Sequence, residues 1–380
     1  MQNGAVKGKS LAFPSLLAVA AALRIFLNNV TDYSPADETV YLRYTQMLAG
    51  GDGFARVVRM FVSDRGMWVF PSPLRWSFLG ATTLLCSVTG ECTHRTLATL
   101  STLAGIAAVA CAYWIGRRLF EHRGALIATA LVATSPLQLA LGRRALADEF
   151  FCAAVLASLG ALLEWLRSRH PGWLAAWIVL TTIAFAAKEQ FLLTYPFVLL
   201  FWFLRARSIT LREIVAWLLP PFLFAAVFCV LARDAGAFFT VARITTSTIG
   251  APYAAQFQAG PPHRLLLDLM AVAPLLVIAA IAAAASLRTP EQRHLLILAA
   301  GILAAHSLLS SKNLRYVVTV DPLLRILVAS WLPRGRWAAV ALVANAAIEL
   351  WLFYTIFVAG GVYDPVTDEL LRALKMLPTG

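Results

Sequence analysis

Residues 96–116 read TLATLSTLAGIAAVACAYWIG, a stretch without any aspartate, glutamate, lysine or arginine. As an α-helix it would be about 31 Å long, which matches the hydrocarbon thickness of a bilayer. Similar stretches recur along the 380-residue chain, which is 60% hydrophobic and only 14% charged. Soluble domains are about 25% charged, so this composition excludes a soluble enzyme. It predicts an all-α fold, a polytopic bundle of transmembrane helices.

Eleven apolar stretches are long enough to be membrane spans. They lie at 10–29, 96–116, 124–142, 148–166, 172–187, 190–204, 213–232, 265–287, 294–310, 315–332 and 337–358. A shorter apolar stretch lies at 74–90. If it crossed the membrane, it would reverse the orientation of every later span. Basic turns such as Arg117 and Arg118 would then lie outside, against the positive-inside rule. We therefore expect eleven crossings, an interfacial helix at 74–90, and a single membrane domain over 1–380.

This topology places most of the irregular chain on the non-cytoplasmic face. The outer segments are a first loop at 30–95 with interfacial helices, a second loop at 233–264 and a tail at 359–380. Because long connections commonly carry function, we expect the active site on that face. Basic residues left outside despite the rule are candidates for binding an anion. In the first loop these are Arg43, Arg56, Arg59, Arg65 and Arg75.

Charge and cysteine patterns exclude several other classes. The net charge of +12 comes from short basic turns between spans, so nucleic acid is not an expected partner. The five cysteines form no CxxC motif and three lie in apolar stretches, which predicts packing residues rather than a zinc site or a disulfide framework. No small-residue cleavage site follows the first apolar stretch, so we expect it to remain as a helix. The six histidines form no HExxH, so no metal site is indicated.

Two acidic pairs lie at outer ends of predicted spans. Asp37 and Glu38 follow the first span, where they could cap a helix or take a proton from an acceptor hydroxyl. Asp148 and Glu149 open a later span, shortly after Arg143 and Arg144 end the one before it. Charges at helix ends are ordinary anchors, but a carboxylate beside two guanidiniums also suits a site that holds a phosphate and a base together.

Charged residues also mark two later outer turns. Lys188 and Glu189 interrupt one long apolar stretch, and a carboxylate between two spans is costly without a partner. The turn SSKNLRY contains Lys312, Arg315 and Tyr316, which can grip a lipid phosphate or simply anchor the helix. Within the spans, Asp321 and Arg325 have i,i+4 spacing, which predicts an internal ion pair.

In order and spacing, these motifs resemble those of GT-C membrane glycosyltransferases that use polyprenyl-phosphate sugars. The most similar branch contains the protein O-mannosyltransferases and the lipid A aminoarabinose transferase. The resemblance covers roughly 10–200. It rests on a D-E-x-x-Y motif at Asp37, Glu38 and Tyr41, GRRLF at 116–120, Ser-Pro at 135–136, and Arg143 or Arg144 followed by Ala145, Leu146 and Asp148, with a weaker match at Arg315, Tyr316 and Pro322. The absence of a sizeable C-terminal soluble stretch favours this branch over the oligosaccharyltransferases.

The resemblance implies an inverting transfer of a sugar from a polyprenyl-phosphate carrier to a glycan, lipid or protein acceptor. Asp37 would be the general base, supported by Glu38 and Asp148. The residues expected to bind substrate are Tyr41, Arg143, Arg144, Lys188, Glu189, Lys312, Arg315 and Tyr316. No cofactor is implied, and a divalent metal, although compatible with the family, is not indicated because no D-x-D follows the acidic pair. Membrane lipids are expected partners, and a bacterial cell membrane is the expected location.

Two other functions use similar parts. A transporter or flippase of lipid-linked sugars would need apolar spans and phosphate contacts, but not a paired acidic motif at the outer surface. A polysaccharide polymerase or ligase would use similar donors, usually with arginine or histidine in place of the Asp-Glu pair. Release of free carrier lipid from a labelled donor separates the enzyme from the transporter.

Overall fold

The computed structural model describes residues 11–27, 36–206, 208–247, 258–332 and 335–377. Within these ranges the regular structure is helical, apart from one antiparallel bridge between Ala259 and Ser311. The predicted all-α class is therefore confirmed. The helices are α1 (Ala12–Leu27), α2 (Asp37–Ala49), α3 (Phe54–Ser63), α4 (Trp76–Thr89), α5 (His94–Leu119), α6 (His122–Ala133), α7 (Pro136–Gly142), α8 (Asp148–Ser168), α9 (Pro171–Ala187), α10 (Phe191–Arg205), α11 (Leu211–Ala232), α12 (Ala237–Ser247), α13 (Arg264–Val272), α14 (Pro274–Ala285), α15 (Pro290–Leu308), α16 (Val320–Trp331), α17 (Arg336–Leu352) and α18 (Thr367–Ala373). Short 3₁₀ turns lie at Arg65–Met67 and Leu314–Val317, and a π-helical segment, Phe353–Ala359, continues α17.

Every predicted span contains a helix or a pair of helices. Four helices are long and apolar enough to cross a membrane: α5, α8, α11 and α17 with its π-helical extension. Two bent pairs, α6 with α7 and α13 with α14, raise this number to six in the described part of the chain. The helices α1, α4, α9 and α10 are apolar but shorter. The helical bundle is thus established, while eleven crossings and an interfacial α4 remain predictions.

Local sequence signals explain where the long helices begin. The Thr93 side chain accepts a hydrogen bond from the Thr96 N–H and starts α5. A reciprocal capping box of Thr210 and Glu213 starts α11, and Thr289 with Gln292 does the same for α15. These caps satisfy backbone N–H groups that have no partner within the helix.

The centre of the bundle is α8, which packs between α5 and α9. Most of its residues are buried around the whole circumference, as expected for a helix enclosed by others. Gly160 permits the close approach of α5, because a Cβ atom there would lie 2.5 Å from the Trp114 ring. Asp148, at the start of α8, is consequently held at the end of the most enclosed helix.

A break between α6 and α7 is held by two buried arginines. The two helices meet at 57°, and Thr134 and Ser135 separate them. The carbonyls at the end of α6 accept hydrogen bonds from Arg24 and Arg325, with Arg325 Nη1 2.9 Å from the Leu131 oxygen. Cations at a helix C-terminus satisfy exposed carbonyls and match the helix dipole.

Arg325 also forms the predicted pair with Asp321, at 3.0 Å, and a second pair with Glu349 on α17, at 2.8 Å. All three side chains are at most 1% exposed. Ser135 Oγ donates to Asp321 at 2.8 Å, so the same cluster fixes the start of α7. The α6–α7 break, α16 and α17 therefore share one buried ionic cluster.

The cysteine expectation was wrong in one respect, because Cys86 and Cys92 form a disulfide. Helix α4 ends at Gly90, whose φ of 75° reverses the chain and returns Cys92 to the last turn of α4, with a Cα–Cα distance of 4.8 Å. The two cysteines are six positions apart, so they do not match the CxxC pattern. Cys111, Cys152 and Cys229 are free thiols.

We expect Arg325→Met to destabilise the protein by about 3–5 kcal/mol, because two carboxylates would stay buried without their cation. Thermal unfolding in detergent measures the effect. Arg336→Met, at the exposed start of α17, is the matched control and should stay within about 0.5 kcal/mol of the parent. Equal stability of the two variants would show that the cluster is not needed for the fold.

Candidate active site

Arg315 is the centre of an ionic cluster that joins three distant parts of the chain. Its guanidinium lies 2.9 Å from Asp37 on α2, 3.3 Å from Asp148 on α8 and 3.1 Å from Asp364, which follows the π-helical segment. The Arg315 side chain is only 8% exposed. The structure therefore brings the two predicted acidic motifs together around one predicted phosphate-binding cation.

Asn313 sets the position of Arg315. Its Oδ1 accepts a hydrogen bond from the Arg315 N–H at 3.0 Å and starts the 3₁₀ turn before α16. Its amide nitrogen donates to Asp364 at 3.0 Å. The 359–380 segment is tied down again where the Thr367 hydroxyl donates to Asp268 at 2.6 Å. The predicted outer tail thus forms one side of the cluster.

Lys188 lies in the break between α9 and α10 and is 2% exposed. Its ammonium binds Asp148 at 2.5 Å, donates to the Arg315 carbonyl at 3.2 Å, and lies 5.5 Å from the centre of the Tyr316 ring. Burial lowers the pKa of Lys188, and the Asp148 carboxylate opposes that effect. Asp148 consequently has two cationic partners, Lys188 and Arg315.

A second group of site residues is organised by Arg75. The guanidinium binds Glu189 through two hydrogen bonds of 2.9 and 2.6 Å, and also donates to the Tyr41 hydroxyl. Burial alone would raise the pKa of Glu189, but the Arg75 guanidinium holds it below its usual value. Tyr41 and Glu189, both predicted to bind substrate, therefore share one arginine from the first loop.

Glu38 lies beside Arg144, with 3.8 Å between the carboxylate and the guanidinium, and its side chain is 0% exposed. Burial raises the pKa of Glu38 to about 7, against the opposing effect of Arg144 and Arg315. Arg144 stacks on Tyr363 with 4.6 Å to the ring centre, and Arg143 lies 5.7 Å from the centre of the Phe353 ring. Both arginines and Tyr363 line a narrow cleft.

Lys312 was predicted as a site residue, but none of its contacts described here is with the Arg315 cluster. Its ammonium donates to the Leu309 carbonyl, and its backbone N–H donates to the Gln258 carbonyl at 2.7 Å. Tyr316 shares this neighbourhood, because its hydroxyl donates to the Gln258 side chain at 3.0 Å. These contacts hold the second outer loop against the turn before α16.

Asp364, Tyr363 and Asn313 were not among the site residues predicted from the sequence, and Arg75 was predicted only as a general anion-binding candidate. The available signal for Asp364 was its place in a segment that the sequence already predicts to lie on the outer face. No spacing rule could connect it with Arg315, because a loop-closing contact of this kind has no fixed period. The missed residues all act by positioning Arg315 or by stacking on a guanidinium.

Across the described ranges, no three histidine, cysteine, aspartate or glutamate side chains are grouped so that they could hold an ion. The acids of the cluster face guanidinium and ammonium groups instead.

Comparisons with known proteins agree with this fold. Residues 78–232 match the family model described as dolichyl-phosphate-mannose-protein mannosyltransferase. ArnT from Cupriavidus metallidurans, in a structure bound to undecaprenyl phosphate, is 16% identical with a TM-score of 0.57, over 97% of this chain and 75% of that chain. AglB from Archaeoglobus fulgidus, an archaeal oligosaccharyltransferase in complex with an inhibitory peptide and a dolichol-phosphate, is 12% identical with a TM-score of 0.62, over 93% of this chain and 56% of that chain. No curated protein sequence matches the chain.

These comparisons confirm the predicted resemblance to GT-C membrane glycosyltransferases. The matched family segment spans from α4 to the end of α11 and so includes Asp148, Lys188 and both predicted arginines of the cleft. At these low identities the two solved structures establish a shared fold, and the roles of individual residues rest on the geometry described above.

The raised pKa of Glu38 makes stability depend on pH. The folded protein favours the protonated acid, so this contribution is complete below about pH 4.5 and is lost as the pH rises to about 7. We expect Glu38→Gln to remove this pH dependence. The unfolding temperature of the variant should therefore rise relative to that of the parent as the pH increases from about 4.5 to about 7. Thermal unfolding at several pH values measures it, and Glu91→Gln, an exposed acid of the same loop, is the control. A constant difference between Glu38→Gln and the parent from pH 4.5 to 7 would contradict the assignment.

Proposed function

We propose that this chain is a GT-C glycosyltransferase that moves a sugar from a polyprenyl-phosphate carrier to an acceptor hydroxyl at the outer face of the membrane. The transfer is a single displacement with inversion, and Asp37 is the general base. The acceptor is a glycan, a lipid or a protein. The fold, the family match over 78–232 and the ionic cluster around Arg315 support this proposal.

The observation that carries the assignment is the difference in exposure among the three acids predicted to be catalytic. The Asp37 side chain is 26% exposed, whereas Asp148 is 2% exposed and Glu38 is 0% exposed. A general base must come within hydrogen-bond reach of the acceptor hydroxyl. Of these three acids, only Asp37 is accessible to an acceptor hydroxyl. Asp148 and Glu38 instead pair with neighbouring cations.

In the proposed step the acceptor oxygen attacks the anomeric carbon, and its proton passes to an Asp37 carboxylate oxygen. The bond between the anomeric carbon and the phosphate oxygen breaks, and its electron pair stays on the phosphate. Negative charge therefore grows on the carrier phosphate, so cations near it stabilise the transition state more than the bound donor. Arg315, Lys188, Arg143 and Arg144 are the side chains assigned to that role.

The cleft lined by Arg143, Arg144 and Tyr363 is the proposed entrance for the donor phosphate. Arginine suits this role because its planar fork can bind two phosphate oxygens at once. The two structural neighbours are described with an undecaprenyl phosphate and a dolichol-phosphate bound, which supports a polyprenyl-phosphate donor here.

The Cys86–Cys92 disulfide supports placing the first loop outside the cytoplasm. Disulfides persist in oxidising compartments and are rare in the cytosol. Helix α4, which carries Cys86, packs against α2, which carries Asp37 and Glu38. The disulfide and the basic turns predicted to be cytoplasmic therefore favour the same orientation.

We expect Asp37→Asn to lower the rate of sugar transfer by about 10²–10⁴, because the amide cannot accept the proton. The variant should still bind the donor, with an affinity no lower than that of the parent. The assay incubates purified protein with labelled polyprenyl-phosphate sugars and follows release of free carrier lipid. Asp368→Asn, an exposed acid at the start of α18, is the control and should keep full activity.

Near-parental turnover by Asp37→Asn would leave Asp37 as a partner of Arg315 only, with Asp148 the next base to test. The transporter would be favoured by two results together. The parent protein would release no carrier lipid from any donor, and it would move intact donor across a vesicle bilayer.

Removal of one phosphate contact should weaken donor binding and also slow transfer. We expect Lys188→Gln and Arg315→Gln each to raise the activation free energy of single-turnover transfer by about 1.5–3 kcal/mol. The loss in donor affinity should be smaller. Arg372→Gln, an exposed cation of the tail, is the control. Because Arg315→Gln also leaves buried carboxylates unpaired, Arg315→Lys is measured beside it and should retain more activity. Unchanged affinity and rate in both Lys188→Gln and Arg315→Lys would remove these residues from the proposed site.

A further inference from the structure

A second cavity, of about 670 Å³, lies between the α2–α3 turn and the α11–α12 turn. Its walls include Gly53, Phe54, Val58 and Arg59 on one side, and Leu231 and Arg233 on the other. Helix α2 has 13 residues and is therefore about 20 Å long, and it carries Asp37 at one end while the cavity adjoins the other end. The cavity is thus separate from the candidate active site.

The cavity lies at the outer boundary of the membrane in the predicted topology. Helix α3 is strongly amphipathic, and its buried face of Phe54, Val57, Val58 and Phe61 packs on α11 and α12. The Phe54 and Phe228 rings meet edge to face with 5.4 Å between their centres. Since Ala232 ends both α11 and the predicted span 213–232, the cavity opens where hydrocarbon gives way to headgroups.

The cavity wall carries two arginines and an apolar edge. Of the two acids in the wall, Asp52 forms its salt bridge with Arg56, and Asp234 accepts the Gly236 N–H at 2.8 Å. Within the described ranges no carboxylate forms a salt bridge with Arg59 or Arg233.

Two further features mark the α11 side of this cavity. Arg233 has a φ of 55°, a left-handed conformation that is uncommon for residues other than glycine. Beside it, Val230 is 75% exposed and Leu231 is 40% exposed.

We propose that this cavity binds the headgroup of an anionic phospholipid of the outer leaflet. Arg59 and Arg233 contact the phosphate, and the acyl chains lie along Val230 and Leu231 at the end of α11. A lipid accounts for both halves of the cavity, because a free phosphate ion would leave the apolar edge without a partner. Guanidiniums at a headgroup level attract anionic lipids, and the outer position of these two residues is otherwise disfavoured by the positive-inside rule.

Native mass spectrometry of the delipidated full chain tests this proposal. The protein is mixed with phosphatidylglycerol, with phosphatidylcholine, with inorganic phosphate alone, or with phosphatidylglycerol and an excess of inorganic phosphate. We expect preferential retention of phosphatidylglycerol, and a loss of about fivefold in that preference for each of Arg59→Gln and Arg233→Gln. Arg59→Lys and Arg233→Lys keep the charge and should keep most of the preference. Arg117→Gln with Arg167→Gln removes two exposed charges from predicted cytoplasmic turns and should leave the preference unchanged.

Leu231→Trp narrows the cavity without removing a charge and should also weaken phosphatidylglycerol retention. The unfolding temperature of each variant identifies any that fail to fold, and the surviving variants decide the test. Three results would overturn the proposal: equal retention of both lipids by the parent, an unchanged preference in the Arg59→Gln Arg233→Gln double variant, or full displacement of phosphatidylglycerol by inorganic phosphate. None of these measurements depends on sugar transfer, so the result stands apart from that of the proposed function.

Discussion

The position of one buried guanidinium determines how the candidate site is assembled. Arg315 contacts Asp37, Asp148 and Asp364, which come from the first loop, the start of the central helix and the C-terminal segment. Taking an arginine out of water is costly unless carboxylates surround it, and each carboxylate in turn needs its cation. The three chain segments are therefore held at one point by a single side chain.

A second buried arginine, ten positions later in the chain, fixes the scaffold that presents the first. Arg325 binds Asp321 and Glu349 and satisfies the Leu131 carbonyl at the end of α6. That contact locks α16 against the α6–α7 break. Since Arg315 lies in the 3₁₀ turn that leads into α16, the location of this helix sets where the Arg315 side chain can reach. Helix α7 leaves the same break and leads to Arg143 and Arg144, so both sides of the site depend on one ionic cluster.

The sequence predicted the parts of this arrangement that have a local signature. Apolar length identified the helices, and i,i+4 spacing identified the Asp321–Arg325 pair. Adjacent acids next to a span indicated Asp37 and Asp148 as candidate site residues, which the structure brings together at Arg315. The contact between Arg315 and Asp37 spans 278 positions, and the contact with Asp364 depends on a tail whose path is set by packing on α13 and the π-helical segment. The Cys86–Cys92 link escaped because it depends on the left-handed turn at Gly90. Long-range ion pairs and tight reversals have no periodic pattern, so the structure was needed to find them.

The ion pair between Arg315 and Asp37 has a consequence for the proposed reaction. In this ion pair the Arg315 guanidinium lies 2.9 Å from one Asp37 carboxylate oxygen, so the two groups must separate before that oxygen can accept the acceptor proton. A donor phosphate that enters beside Arg143 and Arg144 would compete with Asp37 for the Arg315 guanidinium, whereas Asp148 keeps Lys188 as a second partner. Donor binding would then release Asp37 to accept a proton while the released cation faces the leaving phosphate. In this scheme the Asp37 oxygen is free to accept a proton only when the donor is present, and the same arginine links the two events.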